Sequence, residues 1–322
     1  MYQSYYGFSA SPFLLNPDPD FYFPSGTHRK AMAYLQYGLS RNEGFVVLTG
    51  DAGSGKTTVL RSLLAGLDRN RTTAAMLVST NLGPLDVLRS VATAFGMDSG
   101  DADKPALLLL IEVFLTTEAR AGKRCLLVVD EVQNLGLAAI EELRMLSNLS
   151  IGQHALLPIV LAGSTEFRSV LQRAEARQLR QRVIAACHIE PLDPDETRHY
   201  IEHRLGCAGL RQGLEIAGDA YRTIFESSGG VPLRINAICD RLLLAGFMSG
   251  TRAFAAQDVQ RVAGEMDREL DMPASAVKGP LLPVDDLVAK MARLELRVQR
   301  IEALMPRGSL EANANPWIGE SE

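Results

Sequence analysis

The chain has 322 residues, carries 33 Lys and Arg against 38 Asp and Glu for a net charge of −5, and is 47% hydrophobic. That balance places it among soluble globular proteins with room for two domains and a sizeable core. It also argues against a protein whose main task is to coat nucleic acid, since no long Lys/Arg run is present, although folding can still assemble a local basic patch.

The opening MYQSYYGFSASPF has no basic stretch followed by an apolar one, so no secretory signal is expected. No apolar run reaches bilayer-spanning length, and even LLLLIEVFL, from 107 to 115, is broken by Glu112. Cys125, Cys187, Cys207 and Cys239 are widely spaced, without a CxxC, which predicts reduced core thiols rather than a disulfide framework or a zinc site. A cytoplasmic location follows as the expectation.

Residues 1–43 read as an N-terminal segment packing on a core that begins at 44. GFVVLT predicts a first strand over 45–49, and TVLRSLLAGL predicts a helix over 57–67. Between them GDAGSGKT, residues 50–57, fits the phosphate-binding pattern G-x-x-x-x-G-K-[ST] in the strand-loop-helix setting that pattern requires. Glycines at 50, 53 and 55 let the backbone curl so that successive N–H groups face phosphate oxygens at a helix N-terminus. Lys56 brings a compact cation to the β and γ phosphates, and the Thr57 hydroxyl is a ligand for Mg²⁺. Gly50, Asp51, Ala52, Gly53, Ser54, Gly55, Lys56, Thr57 and Thr58 are therefore the candidate nucleotide-binding set.

Further strands are expected at 74–79, 125–130, 156–162 and 186–190, with helices at 84–96, 104–121, 137–149 and 165–174. CLLVVDE, residues 125–131, is a continuous apolar run ending in two carboxylates. Paired with the phosphate loop, Asp130 is the candidate Mg²⁺ ligand, directly or through a water, and Glu131 the candidate base that polarises the attacking water. The alternation of strand and helix predicts an α/β fold, a parallel sheet covered on both faces, extending to residue 192. Asp193, Pro194 and Glu196 then form a capping box with proline at the first helical position, which opens a small all-helical domain over 193–267, with helices at 194–206, 216–228, 232–248 and 257–267.

Composition shifts after 267. Residues 268–284 read as a linker, and 285–305 as an amphipathic helix whose Leu287, Met291, Leu294, Val298, Ile301 and Met305 form a short heptad seam suited to docking or pairing. Residues 306–322, with the single tryptophan Trp317, read as a disordered tail.

GDAGSGKTT, LLVVDEVQNL, EELRMLSNL, QLRQRV, PLDPDETRHYIEHRL and GGVPLRINAICDRLLL, in this order, resemble the AAA+ ATPases related to general secretion pathway protein A. The opening YYGFSASPFLLNPDPDFYFPSGTHRKAMAYLQYGL is similar too, and most resembles the branch associated with PEP-CTERM and exosortase exopolysaccharide loci. The similarity runs over about residues 1–267. It implies a P-loop NTPase core of three αβα layers followed by a helical lid, with ATP and Mg²⁺ as cofactors and a homo-oligomer holding nucleotide at subunit interfaces. Partners would be export or polysaccharide-assembly proteins, with peripheral contact to a membrane complex.

The resemblance also implies roles for single residues. Ser164 takes the place of the first sensor of the γ phosphate, and Arg182, with Arg180 as substitute, that of the arginine finger reaching a neighbour's nucleotide. One departure stands out: the G-x-x-R spacing of the second sensor falls on Leu233, so Arg234 is the replacement candidate, displaced by about 100° around a helix. Phe13, Phe23 and Pro24 are either adenine-packing or core residues. The loop NLGPLD carries no aromatic residue, unlike that of polypeptide-threading relatives. The expectation is a Mg²⁺-dependent ATPase coupled to export machinery. A DNA-associated ATPase of transposition or helicase-loader type is the alternative within the same fold, and a nucleotide-operated switch or scaffold the alternative outside enzymes.

Overall fold

A computed structural model of the chain describes residues 2–14, 19–78, 81–210 and 213–271. In chain order the elements are α1 (Tyr2–Tyr6), α2 (Gly26–Arg41), β1 (Phe45–Gly50), α3 (Lys56–Ala65), β2 (Thr72–Val78), α4 (Pro84–Ala94), α5 (Lys104–Arg120), β3 (Arg124–Asp130) and α6 (Leu137–Leu146). A short antiparallel pair, β4 (Ser150–Ile151) and β5 (His154–Ala155), precedes β6 (Ile159–Gly163), α7 (Thr165–Gln172), α8 (Arg177–Arg180) and β7 (Val183–Ile189). The helical part follows as α9 (Pro194–Cys207), β8 (Glu215–Ile216), α10 (Gly218–Ser228), α11 (Pro232–Ser249), β9 (Ala253–Phe254) and α12 (Ala256–Asp271).

The main sheet is parallel with strand order β2-β3-β6-β1-β7. Strand alternation sends neighbouring residues to opposite faces. Phe45, Val47, Leu127 and Val129 thus join the buried cluster formed with α4, α5 and α6, and Val46, Leu48, Leu126 and Val128 join Ala31 and Leu35 of α2 and Val59, Leu60 and Leu63 of α3 on the other face. With both faces covered, the strands read as continuous apolar runs, as expected for parallel sheets. Phe45↔Ile159 and Leu127↔Ile159 pair in register, which brings the C-terminal ends of β1, β3 and β6 to one edge.

The N-terminal segment departs from the expectation that residues 1–43 pack on the α/β core. α2 does so, with Tyr22 packing on the same face, and its contact is intimate: a Cβ on Gly38 would stand 1.9 Å from Val46 Cγ2. Tyr6, Phe8, Phe13 and Phe21 instead join the helical cluster with Leu192, Tyr200, Ile201 and Ile235. The cause is chemical: these aromatic side chains need a large apolar surface, and the faces of α9 and α11 supply it. The buried Arg204 fixes this N-terminal segment further, donating to the carbonyls of Pro12 at 2.5 Å and Leu14 at 3.5 Å.

The helical part carries the Asp193 capping box, with Glu196 N–H donating to Asp193 Oδ1 at 2.7 Å. It is not wholly helical, because β8 and β9 pair in parallel. Each has two residues, too few for an alternation to register in sequence. All four cysteines are free; Cys125, Cys187 and Cys239 are buried, but Cys207 lies exposed on α9 and is no core thiol. The helix α12 runs to Asp271, into the span read as linker. The rest of that linker, the heptad helix and the tail with Trp317 lie outside the described residues.

Candidate nucleotide-binding site

The loop between β1 and α3 has the backbone its glycines require. Gly53 and Gly55 sit at φ +79° and +98°, where any other residue is strained. The Lys56 ammonium lies inside the curl, donating to the carbonyls of Gly50 and Asp51 at 2.9 Å each. Burial pushes its pKa below the usual lysine range, while the carboxylates of Glu131, Asp130 and Asp51 pull it back up. Asp51 and Ala52 are exposed, Ser54 is buried, and Thr57 and Thr58 occupy the first turn of α3, half-buried.

Across β6, β3 delivers Asp130 to the same edge. Thr57 Oγ1 donates to Asp130 Oδ2 at 2.6 Å, so the two candidate Mg²⁺ ligands are already adjacent. Among the described residues no cluster of three or more His, Cys, Asp and Glu could hold a metal ion. The adjacent oxygens of Thr57 and Asp130 suit Mg²⁺, which is commonly bound by one or two protein oxygens with phosphates and water completing its shell. The donor set and the glycine cradle thus fit a Mg²⁺-nucleotide.

Glu131 stands next, held in the left-handed region at φ +54°, an uncommon conformation for a residue with a side chain. Its N–H donates to Asp130 Oδ1 at 2.9 Å, and its carboxylate accepts from the Gln133 side-chain amide. Gln133 Oε1 in turn accepts from the Ser164 N–H at 2.9 Å. Gln133 therefore links Glu131 to the start of α7, a role that its place within VDEVQN does not disclose. The Ser164 Oγ is buried without a hydrogen-bond partner among the described residues, and the neighbouring Thr165 Oγ1 reaches Asp51 Oδ1 at 3.4 Å. Gly50–Thr57, Asp130, Glu131 and Ser164 are thus assembled at one edge of the sheet.

Arg182 and Arg180 are not among them. Arg182 precedes β7, and its carbonyl accepts from Phe45 N–H at 2.9 Å, at the opposite end of β1 from the loop. Five strand steps separate Phe45 from Gly50, roughly 17 Å at strand rise. Arg182 Nη1 donates to the Ser147 carbonyl at 3.4 Å and Arg180 Nη1 to the Leu171 carbonyl at 2.7 Å, and both residues are exposed.

The lid closes directly on the loop. Leu233 N–H, in the first turn of α11, donates to Gly53 O at 3.2 Å, and Leu233 Cβ lies 2.4 Å from where a Gly53 Cβ would stand. Arg234 is exposed on the next position of that helix. Phe13 is buried at 2% exposure in the helical cluster, and Phe23 packs edge-on to Tyr200 with ring centroids 5.8 Å apart. Both therefore pack on the helical cluster.

Comparison with known proteins agrees with this architecture. Residues 39–171 match the AAA domain family. Over 267 residues the chain is 38% identical to general secretion pathway protein A of Aeromonas hydrophila, an alignment covering 83% of this chain and 48% of that protein, so the chain spans about half the length of this relative. Among solved structures, CDC6P of Pyrobaculum aerophilum superposes with a TM-score of 0.60 at 19% identity, covering 80% of this chain and 74% of that one. ORC2 of Aeropyrum pernix, solved in ADPNP-ADP complexes, gives 0.59 at 15% identity over 75% and 68%, and the RuvB branch migration motor of Thermotoga maritima 0.53 at 18% over 87% and 86%. Residues 39–171 thus match the AAA domain family, in a chain that has the parallel-sheet P-loop NTPase fold and is similar over most of its length to general secretion pathway protein A.

Proposed function

We propose that the protein binds and hydrolyses ATP with Mg²⁺, that hydrolysis is completed between subunits of a homo-oligomer, and that it serves an export system. The observation that carries the reading is the contact between Thr57 and Asp130 beneath a loop whose lysine lies inside the curl, with Glu131 beside it. Thr57 and Asp130 would hold Mg²⁺, whose chemistry there would be to neutralise phosphate charge. Lys56 then exchanges its two loop carbonyls for phosphate oxygens, a charge-assisted replacement. Glu131, oriented by Gln133, polarises the attacking water, and the Ser164 hydroxyl contacts the γ phosphate. Arg182, remote from its own loop, would serve a neighbouring subunit's site. In related phosphoryl-transfer systems such an arginine contributes about 10³ to 10⁵ in turnover.

The export role is supported by the similarity to general secretion pathway protein A, and the form of the N-terminal segment favours the exopolysaccharide-associated branch. Among the described residues no helix is long and apolar enough to cross a membrane, so we assign membrane contact to partners. The deciding experiment is ATP turnover against protein concentration for wild type, Lys56→Ala, Glu131→Gln and Arg182→Ala. Specific activity that rises with concentration and collapses in all three variants is the expected result. Tight ATP binding with negligible turnover at every concentration would instead favour a nucleotide-operated switch.

A further inference from the structure

The phosphate loop is braced from outside by a histidine that no motif marks. His28 lies in the first turn of α2 and is 5% exposed. Its Nδ1 is 2.6 Å from Ser25 Oγ, its Nε2 is 3.0 Å from the Ser54 carbonyl, and that Nε2 also lies 2.7 Å from where a Gly55 Cβ would stand. A carbonyl oxygen only accepts, so Nε2 carries the proton and donates to Ser54, leaving Nδ1 to accept from the Ser25 hydroxyl. Burial lowers the His28 pKa and so favours this neutral form.

Ser25 is itself fixed, buried as the N-cap of α2, and the next residue is tied down too, with Gly26 N–H donating to Glu196 Oε1 at 2.7 Å. The imidazole therefore arrives at the loop from a rigid helix start.

Peptide planarity carries the consequence. In a trans peptide the C=O of one residue and the N–H of the next point in opposite directions. Anchoring the Ser54 carbonyl toward α2 therefore turns the Gly55 N–H away from α2, into the concavity that cradles phosphate. We infer that His28 is a positioning residue for nucleotide binding, holding the Gly55 N–H in its phosphate-facing orientation through the Ser54 carbonyl. The inference rests on the loop being the nucleotide site proposed above.

The test is calorimetric titration of the full chain with Mg²⁺-ADP and Mg²⁺-ATP, with thermal melting alongside. Wild type, Lys56→Ala, His28→Phe and His28→Gln are compared. Phe fills the ring's space without a donor, whereas Gln offers an amide N–H to the same carbonyl. Wild type should bind and Lys56→Ala should bind far more weakly. His28→Phe should weaken ADP and ATP equally, by about tenfold, the size of one misdirected hydrogen bond to a charged group, while melting well above the titration temperature. His28→Gln should recover most of that loss. Failure of the wild type to bind either nucleotide would overturn the nucleotide reading itself. Wild-type binding matched by His28→Phe would overturn the role of His28 alone, as would losses that follow melting temperature in both His28 variants, Gln included.

Discussion

The Leu233 amide donates to the Gly53 carbonyl at 3.2 Å, which hydrogen-bonds the first turn of the lid helix α11 to the phosphate loop itself. Gly53 therefore faces two demands, a left-handed backbone and the close approach of Leu233. Gly53→Ala should strain the loop by about 1–3 kcal/mol and push the lid outward, weakening nucleotide binding tenfold or more. Adding Leu233→Gly removes the collision but leaves the backbone strain, so the double variant should regain only part of the affinity in a titration.

Leu233 occupies the position at which the family resemblance implies the second-sensor arginine. Leu233→Arg should add a charge-assisted contact to the γ phosphate and tighten ATP relative to ADP by about tenfold. Arg234→Ala, one residue further around the helix, should leave the ATP-to-ADP affinity ratio unchanged. The reverse pattern in parallel titrations would make Arg234 the working sensor.

Because Arg182 sits at the far end of the sheet from its own loop, it should act in trans. Arg182→Ala should lower turnover about 10³-fold without weakening ATP binding. Mixing it with inactive Lys56→Ala should restore measurable activity, since mixed interfaces pair an intact loop with an intact arginine. A mixture as inactive as its components would place the catalytic arginine elsewhere.

Much of this site was legible before folding, and the reason differs by residue. Lys56, Thr57, Asp130 and Glu131 sit at fixed offsets from continuous apolar strands, so their shared edge follows from parallel-sheet topology. Gln133 and His28 left no such trace. Each works through a backbone group of a residue far along the chain, Ser164 and Ser54, and that proximity exists only in the folded state. The helix α2 escaped for a related reason: its buried stripe is made by His28, Ala31, Leu35 and Gly38, a set with little apolar signal, and it packs closely because Gly38 is small. The hairpin β4–β5 consists of two-residue strands, too short to register, and the strand expected over 156–162 forms only after Pro158, at Ile159–Gly163.

The junction into the lid depends on one glycine. Gly230 sits at φ +71°, its carbonyl accepts from Leu192 N–H at 2.9 Å, and a Cβ there would stand 2.0 Å from the Leu192 carbonyl oxygen. Gly230→Ala should cost roughly 2–6 kcal/mol from backbone strain and overpacking together, read as a lowered denaturation midpoint.

Burial depresses the His28 pKa below its ordinary value of 6.5, so the unfolded chain binds more protons as the pH falls through that value. This contribution to stability is fully present above about pH 6.5 and is lost toward the lower folded-state value. Denaturant unfolding at pH 7.5 and 5.5 should show a larger loss for wild type than for His28→Gln. Equal losses would mean that His28 titrates alike in both states.

The span that matches the AAA domain ends at residue 171, yet β1, which leads into the phosphate loop, is paired on one side by β7, Val183–Ile189. A fragment ending at 171 would leave that strand as an open edge, its N–H and C=O groups free to recruit other chains. During synthesis the loop therefore gains its second wall only after Ile189 has emerged, and its lid contact only after Leu233. Competence to hold nucleotide therefore trails the translation of its signature by the whole stretch from Thr57 to Leu233.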